Sequence, residues 1–220
     1  AYSGNLSLMA HGYEALPVEN YRYYAGDGAA ELVRRFLGAA RSRKAGDLRA
    51  LDPAYAEEAG ASVSEKDPEF IRMYRTYREI FRENCMYEAK PYEGIPELLK
   101  DLKERGIRIA VLSNKPDPQA RDVVEQLFGR DFFDLVQGQM EGIPRKPAPD
   151  GALRIAELFG AEPRECLYAG DTNTDMQTGN AAGMFTVGVL WGFRDEKELL
   201  DNHAMALAKV PGDLLSWIGG

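Results

Sequence analysis

The stretch Cys166-Leu167-Tyr168-Ala169-Gly170-Asp171-Thr172-Asn173-Thr174-Asp175 decides how this chain is read. A short apolar run, suited to a buried strand, ends in glycine, and two aspartates four positions apart follow. Gly170 lets the chain turn sharply. Asp171 then stands at the C-terminal end of the strand, and Asp175 in the first turn of the next helix. In an open α/β sheet that edge is where ligands bind. Two neighbouring carboxylates repel each other unless a proton or a cation holds them. A hard divalent cation such as Mg²⁺, which takes oxygen ligands and a substrate phosphate, suits the pair. Helix capping by Asp171 or Asn173 is the plainer role, and it accounts for one acid only.

Outward from this stretch the chain alternates helix and strand. Ile95, Leu98, Leu99 and Leu102 predict an amphipathic helix stopped at Gly106, and Ile107 to Leu112 a strand. Ala120 to Phe128 predicts a helix, Phe132 to Val136 a strand, Leu153 to Phe159 a helix and Met184 to Leu190 a further strand. Pro211 to Ile218 reads as a short closing helix. Such alternation implies right-handed βαβ units and a parallel sheet. Residues before about 88 read as all helical. Asp27 is placed to cap the helix carrying Val33, Phe36 and Leu37. Asp67-Pro68 opens a long helix in which Phe70, Tyr74, Tyr77 and Phe81 share one face. That face reads as packed core in preference to a base-stacking platform. Pro91 and Gly94 mark the change of pattern, giving a helical domain over 1–88 and an α/β domain over 89–220.

Three strands run into polar residues at their C-terminal ends. Ile107–Leu112 leads to Ser113-Asn114, the strand near Val136 leads through a loop to Lys146-Pro147-Ala148-Pro149, and Cys166–Ala169 leads to Gly170-Asp171. In a parallel sheet these ends share one edge. A hydroxyl with nearby N–H groups, an ammonium and an acid pair would then converge, as a phosphoryl-transfer site requires.

The 220 residues carry a net charge of −8, with 45% hydrophobic residues. That balance argues against a general nucleic-acid or membrane-surface binder, and an anionic substrate would need local positive charge from a metal or a lysine. Cys85 and Cys166 read as free thiols of a reducing cytoplasm. No run of about 18 apolar residues suggests a membrane span. His11 and His203 read as a helix-end residue and a solvated residue.

With these motifs in order, the sequence resembles the haloacid dehalogenase-like hydrolases, in their phosphoglycolate phosphatase branch. Ile109-Ala110-Val111-Leu112-Ser113-Asn114 looks like the second motif of that family, Lys146-Pro147-Ala148-Pro149 the third, and Gly170-Asp171-Thr172-Asn173-Thr174-Asp175 the fourth. Tyr23-Tyr24-Ala25-Gly26-Asp27-Gly28 and Pro91-Tyr92-Glu93-Gly94 also resemble this branch. The resemblance implies a Rossmann-like parallel-sheet core with a helical cap domain. It implies that Ser113 and Asn114 bind the phosphoryl group, that Lys146 steadies it, that Asp171 holds Mg²⁺ and that Asp175 supports the metal. It further implies a small phosphorylated metabolite as substrate, phosphoglycolate by branch, and a monomer or homodimer. One departure stands out. The first motif of the family, an apolar strand followed by Asp-x-Asp-Gly-Thr, has no counterpart in these residues. Its first aspartate is the nucleophile, and its strand lies centrally between those ending at Ser113 and Asp171. The resemblance therefore implies a nucleophile upstream of Ala1, a missing central strand and little turnover by residues 1–220 alone. A catalytically inactive binding protein on the same fold, or a phosphosugar mutase dependent on a bisphosphate activator, are the alternatives.

Overall fold

The structure is a computed structural model and describes residues 1–218. The chain forms two compact units, one over Ala1–Ala89 and one from Lys90 onward.

The first unit is helical: α1 (Tyr2–Ala10), α2 (Tyr21–Tyr24), α3 (Ala29–Lys44), α4 (Ala56–Ala61) and α5 (Pro68–Asn84). Helix α5 begins as the sequence predicts. The Asp67 side chain accepts from the Glu69 amide at 2.8 Å, and Pro68 takes the first turn, where no amide hydrogen is needed. Its aromatic stripe faces the core: Phe70 and Tyr77 are buried, and Tyr74 and Phe81 pack against the same cluster as Phe36, Leu37 and Met73. Asp27 does not cap α3. Gly28 is the N-cap, with no side-chain cap bond, and the Asp27 carboxylate instead pairs with Arg35 at 2.7 Å. Arg35 is buried, and a buried guanidinium must be paired, whereas a helix-end amide can turn to water.

The second unit holds α6 (Ile95–Glu104), β1 (Ala110–Pro116), α7 (Asp117–Phe128), β2 (Leu135–Gln139), α8 (Asp150–Phe159), β3 (Leu167–Gly170), α9 (Asn173–Ala181), β4 (Phe185–Val189), α10 (Glu196–Asp201) and β5 (Ala206–Ala208). Every strand pairing is parallel. Strand β1 starts later than its apolar run. Gly106 is left-handed at φ 72°, and the Ile107 amide turns back to the Leu102 carbonyl at 3.0 Å, so Ile107 closes helix α6. The Ile109 amide goes to the Asp134 side chain at 2.8 Å. Pairing then runs from Ala110 opposite Leu135. The short β5 carries too little pattern to be foreseen. The segment Pro211–Trp217 is a 3₁₀ helix.

The strands form two sheets among the described residues, β1-β2 and β3-β4-β5. Strand β4 is buried from Thr186 to Val189, while β1 is half-buried throughout and Ala169 in β3 is exposed. The edges of β1 and β3 that the sequence expects to flank a further strand carry none among the described residues. No described helix is long and apolar enough to cross a membrane, and Cys85 and Cys166 are both free thiols.

Helices α3 and α4 touch through backbone. A Cβ on Gly38 would collide with the Ala59 carbonyl, whose carbon would lie at 2.5 Å. Alanine raises helix propensity by roughly 0.5–1 kcal/mol over glycine, but overpacking against rigid backbone costs about 1–3 kcal/mol. The second effect wins. Gly38→Ala is therefore expected to lower the urea midpoint of unfolding with an unchanged slope.

Candidate functional site

The site is built from the ends of β1 and β3 and the loop between β2 and α8. From within β1, Asn114 turns its amide onto the backbone of Lys146. Its Nδ2 donates to the Lys146 carbonyl at 3.1 Å, and its Oδ1 accepts from the Lys146 amide at 2.9 Å. This two-point clasp fixes where the Lys146 side chain starts. Its Nζ then donates to Asp175 Oδ1 at 2.7 Å and to the Leu112 carbonyl at 3.3 Å. Gly151, in the first turn of α8, packs on Leu112, where a Cβ would come within 2.8 Å of a methyl group. The lysine thus joins the C-terminal end of β1 to the start of α9.

Asp175 lies in the first turn of α9, as its position after Gly170-Asp171 predicts. Its Oδ2 accepts from the amides of Asp171 and Thr172 at 3.2 Å each and from the Thr172 hydroxyl at 2.8 Å. The Asp175 amide in turn donates to Thr172 Oγ1 at 3.3 Å, completing a capping box. The Tyr168 hydroxyl reaches Asp175 Oδ1 at 3.4 Å. Gly170 is needed here for space and not for a left-handed turn. A Cβ at 170 would meet Asp175 Cγ at 2.5 Å, and Gly170 is not among the positive-φ glycines.

Asp171 is held from another direction. Its Oδ2 accepts from the Phe193 amide at 2.9 Å, and its backbone carbonyl from the Arg194 amide at 3.2 Å. Ser113 Oγ accepts from the Lys115 amide at 3.1 Å. Ser113 and Lys146 line one small cavity, about 10 Å³, whose floor is Leu112, Gln137 and Gly138. That is room for one water.

The two aspartates titrate in opposite directions. Burial alone would raise Asp175, but the Lys146 ammonium overrides it and holds the carboxyl below its ordinary value. Lys146 responds in kind: burial would lower it, and Asp175 raises it above the ordinary lysine value. Burial, and then the charge of Asp175, raises Asp171. Tyr168 is pushed up to about 12, chiefly by burial, so it stays a neutral donor.

Asn114, Lys146 and Asp175 are joined by hydrogen bonds, Asp171 joins them through its amide to Asp175, and Ser113 lines a small cavity with Lys146. The Asn114 amide clasps the Lys146 backbone and so positions the lysine loop. Both oxygens of Asp175 are taken by protein donors. The described residues contain no group of three His, Cys, Asp or Glu able to hold a metal by themselves. What fits a divalent cation is Asp171. One ammonium faces two carboxylates, and the second carboxylate raises the pKa of the first, a strain that a cation relieves. Sequence reasoning missed Thr172, although Thr-x-x-Asp is a legible capping box. It also missed Tyr168 and Phe193, which no local pattern marks.

The family model described as haloacid dehalogenase-like hydrolase matches residues 5–183. A phosphoglycolate phosphatase of Aquifex aeolicus is 34% identical over 146 residues, covering 58% of this chain and 68% of that protein. One of Neisseria meningitidis is 29% identical over 214 residues, covering 97% and 83%. A crystal structure from Lactobacillus delbrueckii subsp. bulgaricus, provisionally assigned as a phosphoglycolate phosphatase, superposes with a TM-score of 0.86 at 28% identity. It covers 100% of this chain and 90% of its own.

Lys146→Met leaves Asp175 buried without its cation and is expected to cost about 3–5 kcal/mol of stability. In a cycle with Asp175→Asn the coupling should be on the order of 1–3 kcal/mol at neutral pH. Asp175 has a depressed pKa, so the coupling is full above the ordinary carboxylate value of about 3.9 and fades as pH falls toward the depressed value. Lys146 is raised, so the coupling holds up to about pH 10.4 and is lost only above it. Denaturant titrations across that range check both limits.

Proposed function

The chain belongs to the haloacid dehalogenase-like hydrolases, and we propose that within that family it is a Mg²⁺-dependent phosphatase of a small phosphorylated metabolite of the phosphoglycolate type. The observation that carries this reading is the Lys146–Asp175 contact. It ties the loop after β2, and through the Leu112 carbonyl β1, to the helix after β3, with Asp171 one hydrogen bond from Asp175 and Ser113 lining a cavity with Lys146. The substrate class rests on the relatives, which are phosphoglycolate phosphatases.

In this reading the Ser113 hydroxyl donates to a phosphoryl oxygen while its own oxygen keeps the Lys115 amide. The Lys146 ammonium faces the negative charge that builds in the transition state. Asp171 is the residue that would hold Mg²⁺, which screens the phosphate charge and polarises a phosphoryl oxygen. Asp175 acts through others: it aims Lys146 and pins the Asp171 and Thr172 amides. An acyl-phosphate mechanism also needs an attacking carboxylate. Asp175 is saturated with donors, and metal binding would blunt Asp171 as a nucleophile. We place that carboxylate on a segment other than residues 1–220, where a strand carrying it would find the open edges of β1 and β3. A catalytically silent binding protein is the second reading, favoured by the finding that no third carboxylate joins Asp171 and Asp175 among the described residues.

Orthophosphate titrated into the purified 220-residue chain tests the site without requiring turnover. Binding should need Mg²⁺ and weaken about 10- to 100-fold in Asp171→Asn or Ser113→Ala, the loss of one charge-assisted contact. Release of phosphate from an aryl phosphate by this chain should be near background. Brisk release abolished by Asp171→Asn would move the nucleophile into the chain, and binding indifferent to Mg²⁺ and to Asp171 would remove the phosphatase reading.

Mg²⁺ should also raise the melting temperature by mass action. The raised pKa of Asp171 gives the sign of the pH effect. Its ionised form is the disfavoured one, and protons compete with the cation as pH falls. The Mg²⁺-induced shift should therefore be larger at pH 7.5 than at pH 5.

A further inference from the structure

The loop after β4, Trp191-Gly192-Phe193-Arg194, lies against Asp171. It is tied at both ends. The Leu190 amide donates to the Ala208 carbonyl at 2.9 Å. At the other end Arg194 is buried and its Nε donates to Glu198 at 2.9 Å, while Asp195 caps α10 by accepting from the Glu198 amide at 2.9 Å. Between these anchors the loop meets Asp171 three times. Arg194 N–H donates to its backbone carbonyl at 3.2 Å. Phe193 N–H donates to Oδ2 at 2.9 Å. Gly192 lies flat against the carboxylate, where a Cβ would overlap Asp171 Cβ and Oδ2 and come within 2.6 Å of Cγ. Gly192 is not in the positive-φ region, so no turn requires glycine at this position. What requires it is the lack of a side chain next to Asp171.

We propose that Gly192 and Phe193 are positioning residues that clamp the Asp171 carboxylate, engaging Oδ2 and turning Oδ1 toward the cation. The clamp rests on the reading of Asp171 as the cation ligand, and it adds the reason that one particular oxygen is offered. A free aspartate samples several rotamers and can present either oxygen. Here the backbone amide selects one, and the bare Cα of Gly192 leaves room for only that arrangement. The loop is held by β5 and α10, so the carboxylate is aimed by the fold of the core unit and not by the site itself. The clamp therefore predicts that cation affinity depends on a residue bearing no ligand atom.

The test uses Mn²⁺ as the probe, titrated into the 220-residue chain without phosphate and followed by its own electron-spin signal. Hydrogen exchange of the Phe193 amide gives a readout that needs no metal. Gly192→Ala should weaken Mn²⁺ binding at least 10-fold and speed Phe193 exchange by a similar factor. Gly212→Ala, where a Cβ would meet nothing within 4 Å, should change neither. Phe193→Pro removes the donor without filling the space at 192, should give the same loss of Mn²⁺ affinity, and decides the matter if Gly192→Ala does not fold. Wild-type Mn²⁺ affinity in the folded Phe193→Pro variant overturns the clamp, as does unchanged Phe193 exchange in folded Gly192→Ala. Wild-type Mn²⁺ binding that survives Asp171→Asn instead overturns the cation reading, and Phe193 exchange still reports whether the loop grips the carboxylate.

Discussion

A buried ion pair, Lys146 Nζ to Asp175 Oδ1 at 2.7 Å, is the interaction on which the rest of the site depends. Taking two charges out of water costs several kcal/mol per ion, and mutual attraction alone seldom repays it. Here further hydrogen bonds support both partners. Lys146 also donates to the Leu112 carbonyl, and the other Asp175 oxygen accepts three donors from Asp171 and Thr172. Support of this kind makes a buried pair specify one geometry, because any shift of β1 against α9 strands a charge. The pair links the loop after β2, a strand of one sheet, to the helix that follows β3 of the other.

Small residues permit the approach that the pair enforces. Gly170 clears the space that Asp175 occupies, Gly151 lets α8 lie on Leu112, and Gly179 lets α9 lie on Tyr168. Each contact is one where a single methylene would displace a functional side chain or the strand beneath it. The cluster of Ala152, Ala156, Ala182 and Met184, with Leu112 and Tyr168 against it, is the apolar counterpart under the polar site. Packing and chemistry are thus set by the same residues, and Tyr168 contributes its ring to one and its hydroxyl to the other.

Much of this was legible in the sequence, and the failures have physical reasons. The alternation of strand and helix, the helical first unit and the aromatic core stripe of α5 follow from periodicity, which reports burial directly. The parallel strand pairing and the place of Asp175 in the first turn of α9 follow from the strand–helix alternation and from the run into Gly170-Asp171. Strand β1 was misplaced at its start because Ile107 is apolar for the sake of a helix end and not of a ladder. Asp27 was misassigned because a capping residue and the partner of a buried arginine look alike in one dimension; only the burial of Arg35, invisible in sequence, chooses between them. A polar residue at a strand end can clasp a loop as well as face a substrate, and the Asn114 clasp on Lys146 is invisible in one dimension. Phe193 could not be found at all, since it acts through its backbone amide, which every residue but proline has.

The site separates two acids that the sequence presents as a matched pair. Asp175 is surrounded by donors and held below the ordinary carboxylate range, while Asp171, four residues earlier, is raised by burial and by its neighbour. Environments that drive like groups apart assign them different work. The acid with every lone pair engaged is fixed as structure and transmits position. The acid left with excess negative charge is the one that gains from a cation. Spacing sets this division: Asp175, in the first turn of α9, takes the Lys146 ammonium directly, whereas Asp171, four residues earlier, gives its amide to Asp175 and receives on Oδ2 the amide of the loop after β4.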